Sequence, residues 1–206
     1  LLVPAYNIGA FGATLGTYRI EEGKSPTQLV GITDNPNAEG GLEVFGDATP
    51  DFQISFLNAF SIRRLEFSFL IHWKAGGENI NLTTLLSDLS GTSPDYDEVT
   101  LDPNGQVSNG DYRQQQLGVT AAPWIEDASY MRVREIGISY SIPRSSLGDI
   151  AGLKIGLSGR NLINVFNYNS YDPEVSNFGS NAISSAVEVT PFPSAKTVYF
   201  NLSATF

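Results

Sequence analysis

Apolar and polar residues alternate one by one along several stretches of this chain. At its end, Val198, Phe200, Leu202, Ala204 and Phe206 fall on one side, and Tyr199, Asn201, Ser203 and Thr205 on the other. Successive side chains of a strand point to opposite faces, so a period of two predicts a strand with one apolar and one polar face. The same period predicts a hairpin upstream. Phe52, Ile54, Phe56 and Phe60 alternate with Gln53, Ser55, Leu57 and Ala59. After a turn near Ile62-Arg63-Arg64, the apolar face resumes as Leu65, Phe67, Phe69, Ile71 and Trp73, opposite Glu66, Ser68, Leu70, His72 and Lys74. Shorter strands are predicted at 14–21 and 27–33, and longer ones at 129–142 and 152–163. In the first of the longer pair Ile136, Ile138, Tyr140 and Ile142 share a face, and Arg132 and Arg134 fall in phase with them.

Between the strands the pattern changes. Residues 34–49 read as an acidic, Gly-rich loop. In residues 79–90, Ile80, Leu82, Leu85, Leu86 and Leu89 follow helical spacing, which predicts one short helix. Residues 91–123 and 164–193 read as long polar loops, and long loops without structure are usually functional or disordered. Turns near 62–64 and 144–151 are tight by contrast. Short turns at one end, long loops at the other and strand arms of about ten residues are the layout of a membrane barrel.

Composition narrows the classes. Hydrophobic residues make up 41% of the 206, and Gly (20), Pro (11), Tyr (9) and Phe (12) are plentiful. That mix favours strands and turns. No apolar run reaches the ~18 residues of a spanning helix. The net charge of −10 would repel a phosphate backbone, which disfavours nucleic acid as a partner. Cysteine is absent, which removes disulfides, thiolate nucleophiles and Cys-based zinc sites. The opening Leu1-Leu2-Val3-Pro4-Ala5-Tyr6 has neither an initiating Met nor a basic leader and reads as mid-chain sequence, so the expectation is a fragment.

Four segments carry a family resemblance. Phe45-Gly46-Asp47-Ala48-Thr49-Pro50-Asp51-Phe52 leads into the aromatic hairpin. Ala128-Ser129-Tyr130-Met131-Arg132-Val133-Arg134-Glu135-Ile136 is followed by Ser139-Tyr140-Ser141-Ile142-Pro143. Gly159-Arg160-Asn161-Leu162 precedes Tyr168 and Tyr171-Asp172-Pro173-Glu174. Pro191-Phe192-Pro193 leads to the final strand. In order and spacing these resemble the C-terminal part of a SusC/RagA-type TonB-linked outer-membrane transporter. The resemblance implies an all-β fold, the last strands of an antiparallel transmembrane barrel of ~22 strands, of which residues 1–206 would supply roughly seven to nine. It implies import of oligosaccharides or peptides across the outer membrane of a Gram-negative, Bacteroidota-type bacterium. The implied partners are membrane lipid, a SusD-like surface lipoprotein, and TonB acting through a part of the protein not present here. Phe206 would carry the barrel-assembly signal. A soluble β-sandwich that binds carbohydrate is the alternative.

No enzyme constellation emerges, and no cofactor or metal is implied. The single histidine, His72, sits on the polar side of a strand, without the cleft and orienting acid of a catalytic triad. Asp95, Asp97 and Glu98 cluster, as do Asp172 and Glu174, but acidic loops are usually solvated. Asp102-Pro103-Asn104-Gly105 echoes a calcium loop yet lacks its later bidentate Glu, so a turn is expected. The loop aromatics Tyr96, Tyr112, Trp124, Tyr168 and Tyr171, with Asp172, are the candidates for contact with a substrate or the lipoprotein; packing of the loops against one another is the competing role.

Overall fold

The computed structural model describes residues 6–8, 12–147, 152–174 and 186–205. They divide into two compact units. Phe206 lies outside the described residues.

One unit is drawn from Phe52–Lys74, Tyr130–Phe166 and Ser194–Phe206. It is a single antiparallel sheet of five strands, β5 (Phe52–Ile62), β6 (Leu65–Ala75), β9 (Tyr130–Ile142), β10 (Gly152–Phe166) and β12 (Thr197–Thr205), in the order β12-β10-β9-β6-β5. Their 9 to 15 residues suit tilted membrane strands of about 9–11 residues with overhang. β5 and β6 meet at Arg63, whose φ of 58° makes the tight turn.

The register confirms the face pattern. Ile138 pairs with Phe67 on one side and Leu157 on the other, and Leu157 in turn pairs with Phe200. Rings from β5 and β6 share this apolar face: Phe52 meets Trp73 at 4.9 Å, Phe56 meets Phe69 at 5.9 Å, and Phe60 meets Phe67 at 6.3 Å between centroids. The reverse face carries Glu66, Ser139, Gly156 and Asn201 in one row. Lys154 bridges to Glu66 there at 2.6 Å, and Arg160 to Glu135 at 3.3 Å.

A bulge overturns the expected phase of the two arginines. Leu70 pairs with Glu135 but Ile71 pairs with Val133, so β9 carries one extra residue at Arg134. An extra residue flips every later side chain to the opposite face. Arg132 therefore pairs with His72, not with the Ile136 phase, and Met131 and Val133 take its place opposite Trp73 and Ile71. Arg134 also turns to the polar side, with its Nη2 3.2 Å from His72 Nδ1 and 3.3 Å from the Tyr130 hydroxyl. β10 matches the bulge with its own irregularity after Arg160, where Asn161 has a φ of 52°.

The other unit is drawn from Leu1–Asp51, Ala75–Ser129 and Asn167–Pro193. It holds a four-stranded antiparallel sheet, β1 (Tyr6–Ile8), β2 (Thr17–Ile20), β3 (Gln28–Ile32) and β4 (Leu42–Asp47). A three-stranded sheet follows the order β11-β7-β8, with β7 (Glu78–Asn81), β8 (Ile125–Asp127) and β11 (Val187–Glu188), the last parallel to β7. Two helices complete it, α1 (Leu82–Leu89) and α2 (Asn109–Gln115). Tyr18, Leu29, Ile80, Leu82, Leu85, Trp124, Ala186 and Val187 form its core.

Three sequence expectations change here. Residues 34–49 contain β4, and 91–123 contain α2, so there are two short helices where one was expected. The helix expected over 79–90 begins at Leu82, because Asn81 caps it by accepting from Thr84 N–H at 3.0 Å, and β7 occupies 78–81. No helix among the described residues is long and apolar enough to cross a membrane.

Candidate functional site

The loop-bearing unit contains all six candidate contact residues. Its organising element is the three-stranded sheet. Ile80 pairs with Val187 and Ile125, and these three side chains turn toward the apolar core. The period of two sends their neighbours to the reverse face. There Asn79 pairs with Glu126, and Asn81 with Glu188. This face is polar, with Asn79, Asn81 and Glu188 buried and Glu126 partly so.

The Tyr168–Glu174 segment covers this face. Asn79 Nδ2 donates to the Pro173 carbonyl at 2.9 Å. Asn169 N–H donates to Glu126 at 2.9 Å, and Asn81 Nδ2 donates to the other oxygen of that carboxylate at 3.1 Å. Ser170 Oγ donates to Glu188. Tyr168 is buried. Burial, reinforced by the charge of Glu188, pushes the Tyr168 phenol well above its ordinary value. Burial likewise pushes Glu126 up, with Glu188 adding to the effect. Asp172 is buried and accepts from Glu174 N–H at 3.0 Å, which tightens the turn. At its apex Tyr171 is 54% exposed.

Tyr171 borders a cavity of about 410 Å³ lined also by Thr83, Ser87, Thr92, Asp95 and Asn169. A second cavity of about 470 Å³ has Asp34, Glu43, Phe45, Tyr112 and Gln116 in its walls, and Asn169 borders it as well. Tyr96 stands on α2: its hydroxyl donates to Asp111 at 2.7 Å, and its ring lies 2.1 Å from where a Cβ on Gly110 would sit, a space that glycine alone leaves open. Trp124 is entirely buried in the core. The structure thus brings Tyr168, Tyr171 and Asp172 together on one turn, places Tyr112 at the second cavity, and gives Trp124 a packing position.

Arg113 holds the helices of this unit in place. Its Nε and Nη2 donate to Asp88 at 2.7 Å each, and its Nη1 and Nη2 donate to Asp95 at 2.8 Å each. The guanidinium holds the Asp95 carboxyl below its usual range. Asp95 is therefore an ion-pair member inside the acidic cluster seen in the sequence. Asp102 accepts from the N–H groups of Asn104, Gln106 and Val107 at 2.8–3.0 Å, so its oxygens close a turn, as the Pro and Asn-Gly signals predict.

Glu126, Glu188, Asn79 and Asn81 were not among the sequence candidates. The signal available was the alternation Glu78-Asn79-Ile80-Asn81, which the leucines that follow masked as helix.

Comparison with known proteins agrees with the motifs. No family model matches. The chain is 27% identical to TonB-dependent receptor P26 of Formosa agariphila over 93% of its own length and 22% of that protein. It is 24% identical to TonB-dependent receptor P3 of the same organism over 80% of its length and 17% of that protein. The chain therefore spans about a fifth of the relatives it matches. Its fold aligns over 99% of its length with 25% of a chain of the RagAB peptide importer in the closed-closed state, with a TM-score of 0.62 at 14% identity. The open-open state of that importer gives 0.61 over 24% of the chain. The chain is thus similar in sequence to TonB-dependent receptors, and similar in fold to the corresponding part of the RagAB importer.

Proposed function

We propose that this chain forms part of the wall and extracellular loops of an outer-membrane active transporter. The five-stranded sheet is the wall: its apolar face meets lipid and its polar face lines an aqueous lumen. The observation that carries this reading is the exposure of that apolar face. Phe200 is 69% exposed and Phe56 52%, although both sit on long, regularly paired strands. A soluble sandwich would bury such a face against a second sheet, which disfavours the carbohydrate-binding alternative.

The loop-bearing unit is the extracellular part, and the whole 206-residue chain is a C-terminal portion of the barrel. Substrate is an oligosaccharide or a peptide, taken up with a SusD-like lipoprotein and with energy from TonB. The likeness in fold to the RagAB peptide importer supports the peptide option. Tyr171, Tyr112 and Tyr96 are the residues offered to substrate or lipoprotein. Tyr168 and Asp172 belong to the turn that carries Tyr171, and Trp124 packs in the core. Phe206 is proposed as the assembly signal. The test is the full-length protein on a gel: the reading expects detergent-dependent solubility and a band that shifts on heating. A species that stays monomeric and soluble without detergent would overturn it.

A further inference from the structure

The cavity of about 470 Å³ in the loop-bearing unit is shaped by one long-range contact. Ala121 N–H donates to the Ile32 carbonyl at 2.9 Å, which lays the segment after α2 beside β3. The approach is close because residue 31 is glycine: a Cβ there would run into the Ala121 methyl group and press on the Phe45 ring. Leu29 pairs with Gly46 and the next residue, Val30, with Val44, so Phe45 is an extra residue on β4. A bulge of this kind re-aims a side chain, and Phe45 joins Glu43 in the cavity wall. Tyr112 of α2, Gln116 just beyond it and Asp34 line the same space.

The charge around this cavity is negative. Asp34 is exposed and Glu43 half-buried. Glu43 Oε2 accepts from the Thr33 hydroxyl at 2.7 Å, and among the described residues its other oxygen and both Asp34 carboxylate oxygens accept no hydrogen bond. Arg113 also touches the cavity, but it is buried and holds Asp88 and Asp95 at 2.7 and 2.8 Å, so one cation there answers two anions. The loop-bearing unit as a whole carries three basic residues against nineteen acidic ones, a net charge of −16, whereas the unit of the five-stranded sheet carries nine against three, or +6.

Carboxylates beside aromatic rings suit an organic cation. A carboxylate accepts charge-assisted hydrogen bonds from an ammonium or guanidinium, and the face of a phenyl or phenol ring attracts the same charge through its quadrupole. A metal ion suits the cavity less: rings supply no ligand, and among the described residues no three acidic, histidine or cysteine side chains converge as a metal-holding group. An anion is repelled by the field of the unit. We propose that this cavity is a subsite for a positively charged organic group on the substrate, an ammonium or a guanidinium, held by Asp34 and Glu43 against Phe45 and Tyr112. The subsite rests on the transport reading and narrows it to peptides bearing lysine or arginine, or to oligosaccharides bearing free amino groups.

The test uses the full-length protein in detergent, first scored for its heat-shifted band and then titrated calorimetrically with matched probes. One pair is a pentapeptide with lysine at its centre and the same peptide with norleucine there, both capped at their ends. The other pair is a glucosamine trisaccharide and its N-acetylated form. The charged member of at least one pair should bind roughly tenfold tighter than its neutral partner, and the pair that shows this names the source of the charge. Asp34→Asn combined with Glu43→Gln, which leaves an oxygen for the Thr33 hydroxyl, should abolish the preference while keeping the heat-shifted band and the affinity for the neutral probe. If the double variant does not fold, Asp34→Asn alone, at an exposed position, should already reduce the preference. Equal affinity within both pairs, no binding of any probe, or a preference that survives the substitutions overturns the subsite. A wild-type protein without the heat-shifted band would count against the transport reading instead, so the two failures are read from different measurements.

Discussion

Arg113 grips Asp88 through two hydrogen bonds of 2.7 Å, with both side chains at most 2% exposed. The pair joins α2 to α1, and Ser93 closes the group by donating to Asp88 at 2.6 Å. Removing one member of a buried pair leaves an uncompensated charge, at a cost of about 3–5 kcal/mol. Arg113→Met should therefore lower the stability of the loop-bearing unit by about that amount. Limited proteolysis between residues 88 and 113 would show it as faster cleavage, while the long-stranded sheet keeps its resistance.

Asp95 makes the same clamp sensitive to acid. Its carboxyl is held below its usual range, first by the hydrogen bond from Arg113. A depressed carboxylate contributes stability that is present above its unfolded value and lost as pH falls through its folded value. The helices should loosen as pH drops below the ordinary aspartate value of 3.8. Asp95→Asn should flatten that dependence when circular dichroism is followed through acid titration.

The Phe45-to-Phe52 motif has an architectural explanation. A Cβ on Gly46 would lie 2.3 Å from Glu78, whose carboxylate accepts from Asp47 N–H at 2.6 Å. Asp47 in turn accepts from the Thr27 hydroxyl at 2.6 Å and from Thr49 N–H at 2.7 Å. Gly46→Ala should displace Glu78 and destabilise the junction by about 1–3 kcal/mol. Gly46→Ala combined with Glu78→Ala should recover part of the steric cost, and thermal melts of the single and double variants would measure the coupling.

Much of this was legible in the chain, and the gaps have definite causes. The faces of β5, β6 and β12 followed from the period of two, as did that of β10 up to Arg160, where its irregularity begins. The arginines of β9 were misassigned because a bulge is invisible to periodicity: Arg132 and Arg134 keep phase with Ile136 in sequence, while the extra residue breaks phase in space. β7 and β11 escape the pattern because each is short and pairs with a partner distant in sequence, as when β11 pairs with β7 across more than a hundred residues, and β4 because its acidic, Gly-rich surroundings read as loop. The turn carrying Tyr171 was visible as a motif. Its support was not, because Glu126 and Glu188 come from separate segments that meet only in the folded sheet.

The face assignment also predicts an asymmetry between adjacent positions. Ile138 is 46% exposed on the apolar face, and Ser139 lies on the polar face beside Glu66. An arginine facing lipid costs about 2–4 kcal/mol at the midplane of a barrel. Ile138→Arg should sharply reduce the heat-modifiable, folded form in membranes, whereas Ser139→Arg should assemble near the wild-type level.

The most direct measurement is labelling of single cysteines introduced into this part of the full-length protein, which contains none of its own. Phe67→Cys, Phe200→Cys and Leu202→Cys should react with a probe dissolved in the bilayer and resist a water-soluble one, while Ser139→Cys and Asn201→Cys should do the reverse. Equal reaction of both sets with the aqueous probe, or no reaction from the bilayer at Phe200→Cys, would contradict a sheet that stands between lipid and water.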